Sequence, residues 1–221
     1  MIARLTVGET LDRAKAFALQ SVCFGDGEAW FDAFLDAARG QTYIAYENGE
    51  EYVGGLFLLD TVCGDFRGKY VYSLGVHPSY RGKGIARALL EEAKALAKDF
   101  CLICAADAGL ASTYARYGFD IPVGGTVPLG ATQGVSMDTA ASTAKSTYRD
   151  VCGLKLCEPL FAFALSECGA TLCTDGKKTL AVSKDGVYAT FGVPLVQNKA
   201  QLYLKNDMDT TNLTADLILE V

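Results

Sequence analysis

One stretch of the chain, residues 70–98, constrains the fold more than any other, and it reads YVYSLGVHPSYRGKGIARALLEEAKALAK. Its first seven residues are uncharged and rich in aromatic and β-branched side chains, which predicts a strand. A glycine-rich turn at residues 81–84 follows, and beyond it apolar residues recur at helical spacing. These residues are Ile85, Leu89, Ala93 and Leu96. The stretch therefore predicts a strand, a loop and the start of a helix, in that order.

The glycine-rich turn would lie at the N-terminus of this helix. Several backbone N–H groups have no intrahelical acceptor there, and Gly82 and Gly84 have no Cβ that would keep a ligand away. The position therefore predicts an anion site, most naturally for a phosphate. Two common phosphate motifs do not fit, because Gly84 stands where a P-loop needs Ser or Thr and the sequence contains no G-x-G-x-x-G. A nucleotide triphosphatase or a dinucleotide enzyme is therefore disfavoured.

Two stretches of the chain resemble signatures of the GNAT acetyltransferase superfamily. Arg81-Gly82-Lys83-Gly84-Ile85-Ala86 is similar to its R/Q-x-x-G-x-G/A signature, and Val76-His77-Pro78 precedes it in V-x-P form. Residues 113–119, TYARYGF, are similar to its F-Y-x-x-x-G-F segment, and they end a short helix predicted from Gly109 to Tyr117. The resemblance covers roughly residues 2–120.

The resemblance implies a site for acetyl-CoA. In the superfamily the loop amides hold the pyrophosphate, and the preceding strand presents backbone groups to the pantetheine and the thioester carbonyl. The implied cofactor-binding residues are Val76, Arg81, Gly82, Lys83, Gly84, Ile85 and Ala86. The resemblance also implies that Tyr114 protonates the departing CoA thiolate, since a thiolate of pKa about 8.5 accepts a proton from a phenol within hydrogen-bond reach. Tyr117 is the local competitor, and simple packing of Tyr114 under the Gly118-Phe119 turn is the alternative.

The general base is harder to place. Residues 70–76, where some superfamily members carry a base, contain no acidic residue. Asp60, at the end of the neighbouring predicted strand, is the candidate, and Tyr72 and Ser73 could orient a water instead. His77 titrates in a suitable range, but its place beside the loop favours a surface position.

The rest of the first half predicts the elements around these motifs. We expect a strand at 2–7, a helix with Thr10 as its N-cap, and a second helix that ends at Gly40. A hairpin follows, with a type I′ turn at Glu47-Asn48-Gly49, and Gly54 and Gly55 indicate a bulge or a close backbone approach. The predicted fold class is α+β, a mixed and largely antiparallel sheet with helices on both faces in the GNAT manner, followed by a smaller α+β segment.

The composition changes after residue 120, since residues 121–147 are almost uncharged and rich in Gly, Ser and Thr. We expect a GNAT domain over 1–138 and a C-terminal α+β segment over 139–221, with helices at 139–151 and 158–168 and then three short strands. Two helices followed by a hairpin repeat the order of residues 10–60. The segment could be a degenerate half-repeat of the same fold, with chance as the alternative. It contains no second glycine-rich loop, so we predict a single CoA site.

Composition narrows the class of protein. The net charge of −6 argues against a nucleic-acid surface and is consistent with a cationic acceptor. No apolar run reaches the roughly 18 residues of a membrane helix and the N-terminus lacks a signal-peptide core, so we expect a cytoplasmic protein without membrane contact. The eight cysteines are scattered and are expected to be reduced. Cys101 and Cys104 would point to opposite faces of a strand, so no metal site is predicted.

These features together predict an N-acetyltransferase. It would transfer an acetyl group from acetyl-CoA to a primary amine of a small acceptor, by direct attack in a ternary complex. Two alternatives stay open: a non-catalytic CoA-sensing or interaction module, and an acyltransferase that uses a larger acyl-CoA. The sequence leaves open the identity of the acceptor and the oligomeric state, a homodimer included.

Overall fold

The computed structural model describes residues 1–125, 155–167, 171–174, 179–183, 186–191, 200–206 and 214–215. The strands of the first part are β1 (Ile2–Thr6), β2 (Thr42–Asn48), β3 (Glu51–Cys63), β4 (Phe66–Val76), β5 (Phe100–Cys104), β6 (Ile121–Pro122) and β7 (Gly124–Gly125). The later strands are β8 (Lys155–Leu156), β9 (Thr171–Thr174), β10 (Thr179–Ser183), β11 (Gly186–Phe191), β12 (Ala200–Leu204) and β13 (Thr214–Ala215). The helices are α1 (Arg13–Phe24), α2 (Glu28–Ala37), α3 (Ile85–Leu96), α4 (Ala108–Ala115) and α5 (Glu158–Glu167), with a 3₁₀ turn at Pro78–Tyr80.

Seven strands form the main sheet in the order β1-β2-β3-β4-β5-β12-β6, and β8 pairs with the far end of β3. Neighbouring strands run antiparallel except β4 and β5, which are parallel. The predicted fold class, a mixed and largely antiparallel sheet flanked by helices, is confirmed. β9, β10 and β11 form a separate antiparallel sheet, in agreement with the three short strands predicted there.

Two apolar clusters cover the two sides of the main sheet, because successive side chains of a strand point to opposite faces. On β3, Phe57 and Leu59 belong to the cluster that includes residues of α1, α2 and α5. Leu56 and Leu58 belong to the cluster that includes residues of α3 and α4. We call these two sides of the sheet the α1 face and the α3 face.

Cys101 and Cys104 point to opposite faces, as predicted from their positions on one strand. Cys101 is buried in the cluster of the α3 face, whereas Cys104 packs against the cluster of the α1 face. Among the described residues, no group of three or more His, Cys, Asp or Glu side chains could hold a metal ion.

The first helix begins two residues later than its sequence predicts. Asp12 is the N-cap of α1, since its Oδ1 accepts a hydrogen bond of 3.1 Å from the Lys15 N–H. The predicted N-cap, Thr10, is therefore wrong. Its hydroxyl instead accepts a bond of 2.8 Å from the Thr6 N–H, which holds the turn that leaves β1.

The predicted hairpin of β2 and β3 is present, but its turn is not type I′. Asn48 pairs with Glu51, so the two turn residues are Gly49 and Glu50. A type I′ turn needs positive φ at both positions, whereas only Gly49 has one, at 64°. Glu50 has a side chain that disfavours positive φ, which explains the different turn.

The two glycines inside β3 mark a close approach of other elements to the backbone, as predicted. A Cβ on Gly54 would lie 2.5 Å from Cγ2 of Ile85 on α3, and a Cβ on Gly55 would lie 2.0 Å from the Tyr43 hydroxyl. Neither distance is compatible with a side chain. Gly54 therefore lets α3 sit close on the sheet, next to the loop that begins this helix.

Residues on both sides of the predicted boundary at 138 contribute to the main sheet. β12 lies between β5 and β6 and pairs with β5 along all of its five residues. Residues 126–199 are thus inserted between two strands that share one sheet. The division into units of 1–138 and 139–221 stays a prediction, as does the half-repeat, and the helix predicted at 139–151 lies outside the described residues.

Helix α5, which was predicted at 158–168, packs on α2 of the first half. The Phe163 ring lies 5.8 Å from the ring of Trp30 and 5.7 Å from that of Phe34. The inserted segment therefore covers part of the α1 face. Every helix in the described part of the chain is too short or too polar to cross a bilayer.

Candidate active site

Strands β4 and β5 separate from each other halfway along β4. Their backbone pairing runs from Gly68 with Phe100 to Val71 with Ile103. β4 continues to Val76, and from Tyr72 onward the described residues pair only with its other edge, through β3. The N–H and C=O groups on the open edge can therefore bond a ligand that enters between the strands.

A β-bulge lies at the point of separation. The register between β3 and β4 shifts between the Gly55–Gly75 pair and the Phe57–Tyr72 pair, which leaves two residues of β4 opposite one of β3. One of the two, Ser73, has a φ of 51° and is buried. Such a conformation costs a non-glycine residue about 1–2 kcal/mol, and strain of this kind often accompanies function.

The predicted anion loop lies between the end of β4 and the start of α3. Gly82 and Gly84 have φ values of 76° and 78°, and Gly84 is the N-cap of α3. A Cβ on either glycine would meet no described residue within 4 Å, so the described part of the chain leaves the space beside them open. Arg81 Nε donates a bond of 3.1 Å to the Val76 carbonyl, which ties the loop to the strand. The predicted cofactor-binding residues are thus brought together at one end of the open edge.

Lys83 and His77 have further contacts within this loop. The ammonium of Lys83 lies 4.6 Å from the centre of the Tyr80 ring, and Asn48 Nδ2 donates a bond of 3.0 Å to the Tyr80 hydroxyl. Nδ1 of His77 accepts a bond of 3.3 Å from the Ser79 N–H, so this imidazole caps the 3₁₀ turn. The contact gives His77 a structural role in this turn.

Tyr114 lies on the inner side of α4, in the cluster of the α3 face. That cluster also contains Val71 and Ile103, the last pair that joins β4 and β5. The tyrosine is 8% exposed, and burial, with a smaller effect from Asp107, raises the pKa of Tyr114 to about 12. Its phenol is therefore protonated at any ordinary working pH, as a proton donor must be. Tyr117 is only half-buried.

Asp60 lies apart from these residues. It is exposed and forms an ion pair of 2.6 Å with Lys69, its partner across β3 and β4. It is three residues along β3 from Phe57, the partner of Tyr72, which is roughly 10 Å at about 3.3 Å per residue. Because successive side chains of β3 point to opposite faces, Asp60 lies on the α3 face together with Leu58. Its role as general base stays a prediction without support from the geometry.

A set of polar side chains meets on the α1 face, and the sequence does not predict that they lie together. Gln20 Nε2 donates to Oδ2 of Asp26 at 2.7 Å and to the hydroxyl of Ser73 at 3.1 Å. Beside them, burial raises the pKa of Tyr72, and the negative charges of Asp26 and Glu167 add to this. We call Gln20, Asp26, Tyr72, Ser73 and Glu167 the polar group.

The members of the polar group come from four elements of the chain. Asp26 looks in sequence like a charge at a helix start, but it lies in the connection between α1 and α2, where Gln20 reaches it. Glu167 is at the end of α5 and accepts a hydrogen bond from the indole N–H of Trp30. The one available signal was a carboxylate between two glycines, Gly25 and Gly27. Tyr72 and Ser73, predicted as water-orienting residues, are both members.

The main sheet, the separated strands and the loop have the arrangement of the GNAT fold. Residues 38–121 match the family model of the acetyltransferase (GNAT) domain. The resemblance to GNAT acetyltransferases found in the sequence is therefore confirmed over these residues. No curated protein matches the chain in sequence.

Solved structures with the same fold come from several bacteria. Eis1 from Mycobacterium abscessus is 18% identical with a TM-score of 0.55, and the match covers 81% of this chain and 53% of that one. A GCN5-related N-acetyltransferase from Kribbella flavida is 14% identical with a TM-score of 0.53, covering 87% and 59%. Another GCN5-related N-acetyltransferase, from Anabaena variabilis, is 15% identical with a TM-score of 0.51, covering 85% and 56%. The chain thus spans little more than half the length of these proteins.

Proposed function

We propose that the protein is an N-acetyltransferase that transfers an acetyl group from acetyl-CoA to a primary amine of a small, cationic acceptor. The observation that carries this proposal is the open edge of β4 beyond the Val71–Ile103 pair. This edge begins beside the cluster that contains Tyr114 and ends at the glycine loop. A long ligand with an anionic end and a reactive end suits such a site.

The described residues fit acetyl-CoA. Its pyrophosphate would take the unpaired amides at the N-terminus of α3, where Gly82 and Gly84 leave open space. The amides of its pantetheine arm would pair with the open edge of β4 in the manner of an added strand. Ile85 is 5% exposed, so it would contribute its backbone N–H and not its side chain.

The chemistry follows from this placement. The amine nitrogen forms a bond to the acetyl carbon, the C–S bond breaks, and CoA leaves as a thiolate that needs a proton. Tyr114 would supply that proton from its phenol as negative charge builds on the sulfur. General acids of this kind contribute roughly 10²- to 10⁴-fold to the rate.

The acceptor would bind at the α1 face. Asp26 and Glu167 are carboxylates beside Tyr72, and Trp30 offers an aromatic surface next to Glu167. Negative charge and an aromatic ring both favour a positively charged amine. A water between Tyr72 and Ser73 would then accept the ammonium proton and pass it on to bulk solvent, since Asp60 lies roughly 10 Å away on the other face.

The test is turnover of acyl-CoA with a panel of amines. Purified protein is incubated with acetyl-, propionyl- or benzoyl-CoA and a polyamine, an amino acid, an aminoglycoside or a peptide with a free N-terminus. Free CoA is quantified by chromatography, because thiols among the eight cysteines of the chain would compete for thiol reagents. We expect amine-dependent release of CoA from acetyl-CoA.

Other outcomes of this panel separate the alternatives. Release only from the larger acyl-CoA would assign another acyl donor. Tight CoA binding with no release from any pair would identify a non-catalytic CoA-binding module. Either result would contradict the proposed activity.

A further inference from the structure

Lys94 on α3 makes three contacts, and one of them is to the turn after α4. Its ammonium donates a hydrogen bond of 2.8 Å to the Tyr117 carbonyl and forms an ion pair of 2.9 Å with Glu91. It also lies 4.9 Å from the centre of the Tyr203 ring, on β12. The Lys94 side chain is only 12% exposed, so it is largely shielded from water, whereas the side chain of Glu91 is 54% exposed.

The turn that Lys94 holds is the turn that fixes Tyr114. The Tyr114 carbonyl accepts hydrogen bonds from the N–H groups of Tyr117, at 2.9 Å, and Phe119, at 3.0 Å. Gly118 permits this closure with a φ of 92°. A cation beside a carbonyl at the C-terminus of a helix is also favoured by the helix dipole. Movement of the Tyr117 carbonyl would therefore move the backbone of Tyr114.

Phe119, in the turn after α4, is fully buried, but the helix itself buries little surface. It has only eight residues, and Tyr114 is its one buried side chain. A proton donor must be held within about 0.5 Å of its working position, and a misplacement of 1 Å can cost about 10²-fold in rate. The contacts of Lys94 join α4 to α3 and to β12, two elements that are fixed in the core.

We infer that Lys94 is a positioning residue for the phenol of Tyr114. The ring of Tyr203, on the strand after the insertion, holds the Lys94 ammonium in place. The inference rests on the proposed function of Tyr114 as general acid. It also assigns a role to β12, the strand that follows the insertion. Tyr203 on this strand contacts the Lys94 ammonium, and the ammonium holds the turn that fixes Tyr114. Lys94 acts by holding the turn, and it does not touch the substrate.

A double-mutant cycle tests the inference. Lys94→Met keeps the length of the side chain and removes the ammonium, and it is made in the wild type and in the Tyr114→Phe background. kcat is measured with saturating acetyl-CoA and the acceptor selected by the amine panel, and in parallel as acetyl-CoA hydrolysis, in which water is the acceptor. We expect a loss of about tenfold in the wild type and less than twofold in the Tyr114→Phe background, with KM for acetyl-CoA unchanged.

The controls separate a positioning role from a structural one. Lys98→Met removes an exposed lysine near the end of the same helix and should leave kcat within twofold of wild type in both backgrounds. An equal loss from Lys94→Met in both backgrounds, or no loss in either, would overturn the inference. If Lys94→Met does not fold, Tyr203→Leu removes the supporting ring and enters the same cycle. If Tyr114→Phe alone leaves kcat within twofold of wild type, Tyr114 is not the general acid. That result contradicts the proposed function of Tyr114, and it differs from every outcome that contradicts the role of Lys94 alone.

Discussion

Val71 on β4 and Ile103 on β5 form the last backbone pair between these parallel strands. Beyond it, β4 is displaced by a bulge at Ser73 and presents an open edge that leads to the glycine loop. The two residues also belong to the same buried cluster as Tyr114. We therefore propose that the reacting end of a ligand binds where this pair of strands stops pairing.

The glycine loop predicts a dependence of CoA binding on Gly84. Gly84→Asp would put a negative charge where we place the pyrophosphate, so we expect CoA affinity to fall by at least tenfold in calorimetry. Gly84→Asn is the matched control, because asparagine has the same size and tolerates positive φ but carries no charge. Equal affinities of the two folded variants would show that charge at this position is unimportant.

Removal of residues 139–221 should destroy the fold. The truncation takes away β12 and with it the partner of β5 along five residues, together with Leu202, which has no exposed surface. We expect an aggregated or unfolded fragment in circular dichroism and gel filtration. A soluble, monomeric fragment with full activity would mean that the GNAT unit ends near 138, as the sequence suggests.

The carboxylates of the polar group should select cationic acceptors. Asp26→Asn and Glu167→Gln are each expected to raise KM for a cationic amine by about three- to tenfold, with less effect in high salt because the interaction is screened. KM for acetyl-CoA should not change. Glu50→Gln, in the β2–β3 turn, is the matched control. The acceptor site is misplaced if the three variants show the same KM for the amine.

The raised pKa of Tyr114 predicts a specific alkaline destabilisation. Unfolded tyrosine titrates near 10, and in the fold the value is about 12. Between these values the unfolded chain binds fewer protons, so the free energy of unfolding falls as pH rises, by up to about 1.4 kcal/mol per unit. Below pH 9 the group contributes no pH dependence.

The measurement is urea unfolding at several values from pH 9 to pH 11.5. The wild type should lose more stability over this range than Tyr114→Phe, because only this titration is removed in the variant. Tyr43, Tyr72 and Cys101, whose pKa values are also raised by burial, contribute equally to both proteins. Parallel curves for the two proteins would contradict a raised pKa at this position.

Much of the fold could be predicted because local burial leaves a pattern in the sequence. The spacing of Ile85, Leu89 and Ala93 predicts α3, and all three are buried against the sheet. The glycines at 82 and 84 mark positive φ values that few other residues adopt. Such features depend on neighbours in sequence and can be found without knowledge of the rest of the chain.

The remaining features depend on contacts that have no local pattern. β12 enters the sheet after an insertion of more than seventy residues, and its own sequence does not indicate that it pairs with β5. Gln20, Asp26 and Ser73 meet only because α1 packs across β4. The bulge at Ser73 shifts the register between β3 and β4, so the sequence alone does not show which β4 residue lies opposite a given β3 residue.

The measurement that tests the central claim most directly is the turnover of Tyr114→Phe. The variant keeps the ring and removes one oxygen atom, so packing in the α3-face cluster is nearly preserved. With acetyl-CoA and an accepted amine, under conditions in which chemistry limits the rate, we expect kcat to fall by about 10²-fold or more with little change in acetyl-CoA binding. Partial substitution of the phenol by water would reduce the loss toward tenfold, about 1.4 kcal/mol. A folded variant that turns over within about twofold of wild type would show that Tyr114 is a packing residue and not the general acid.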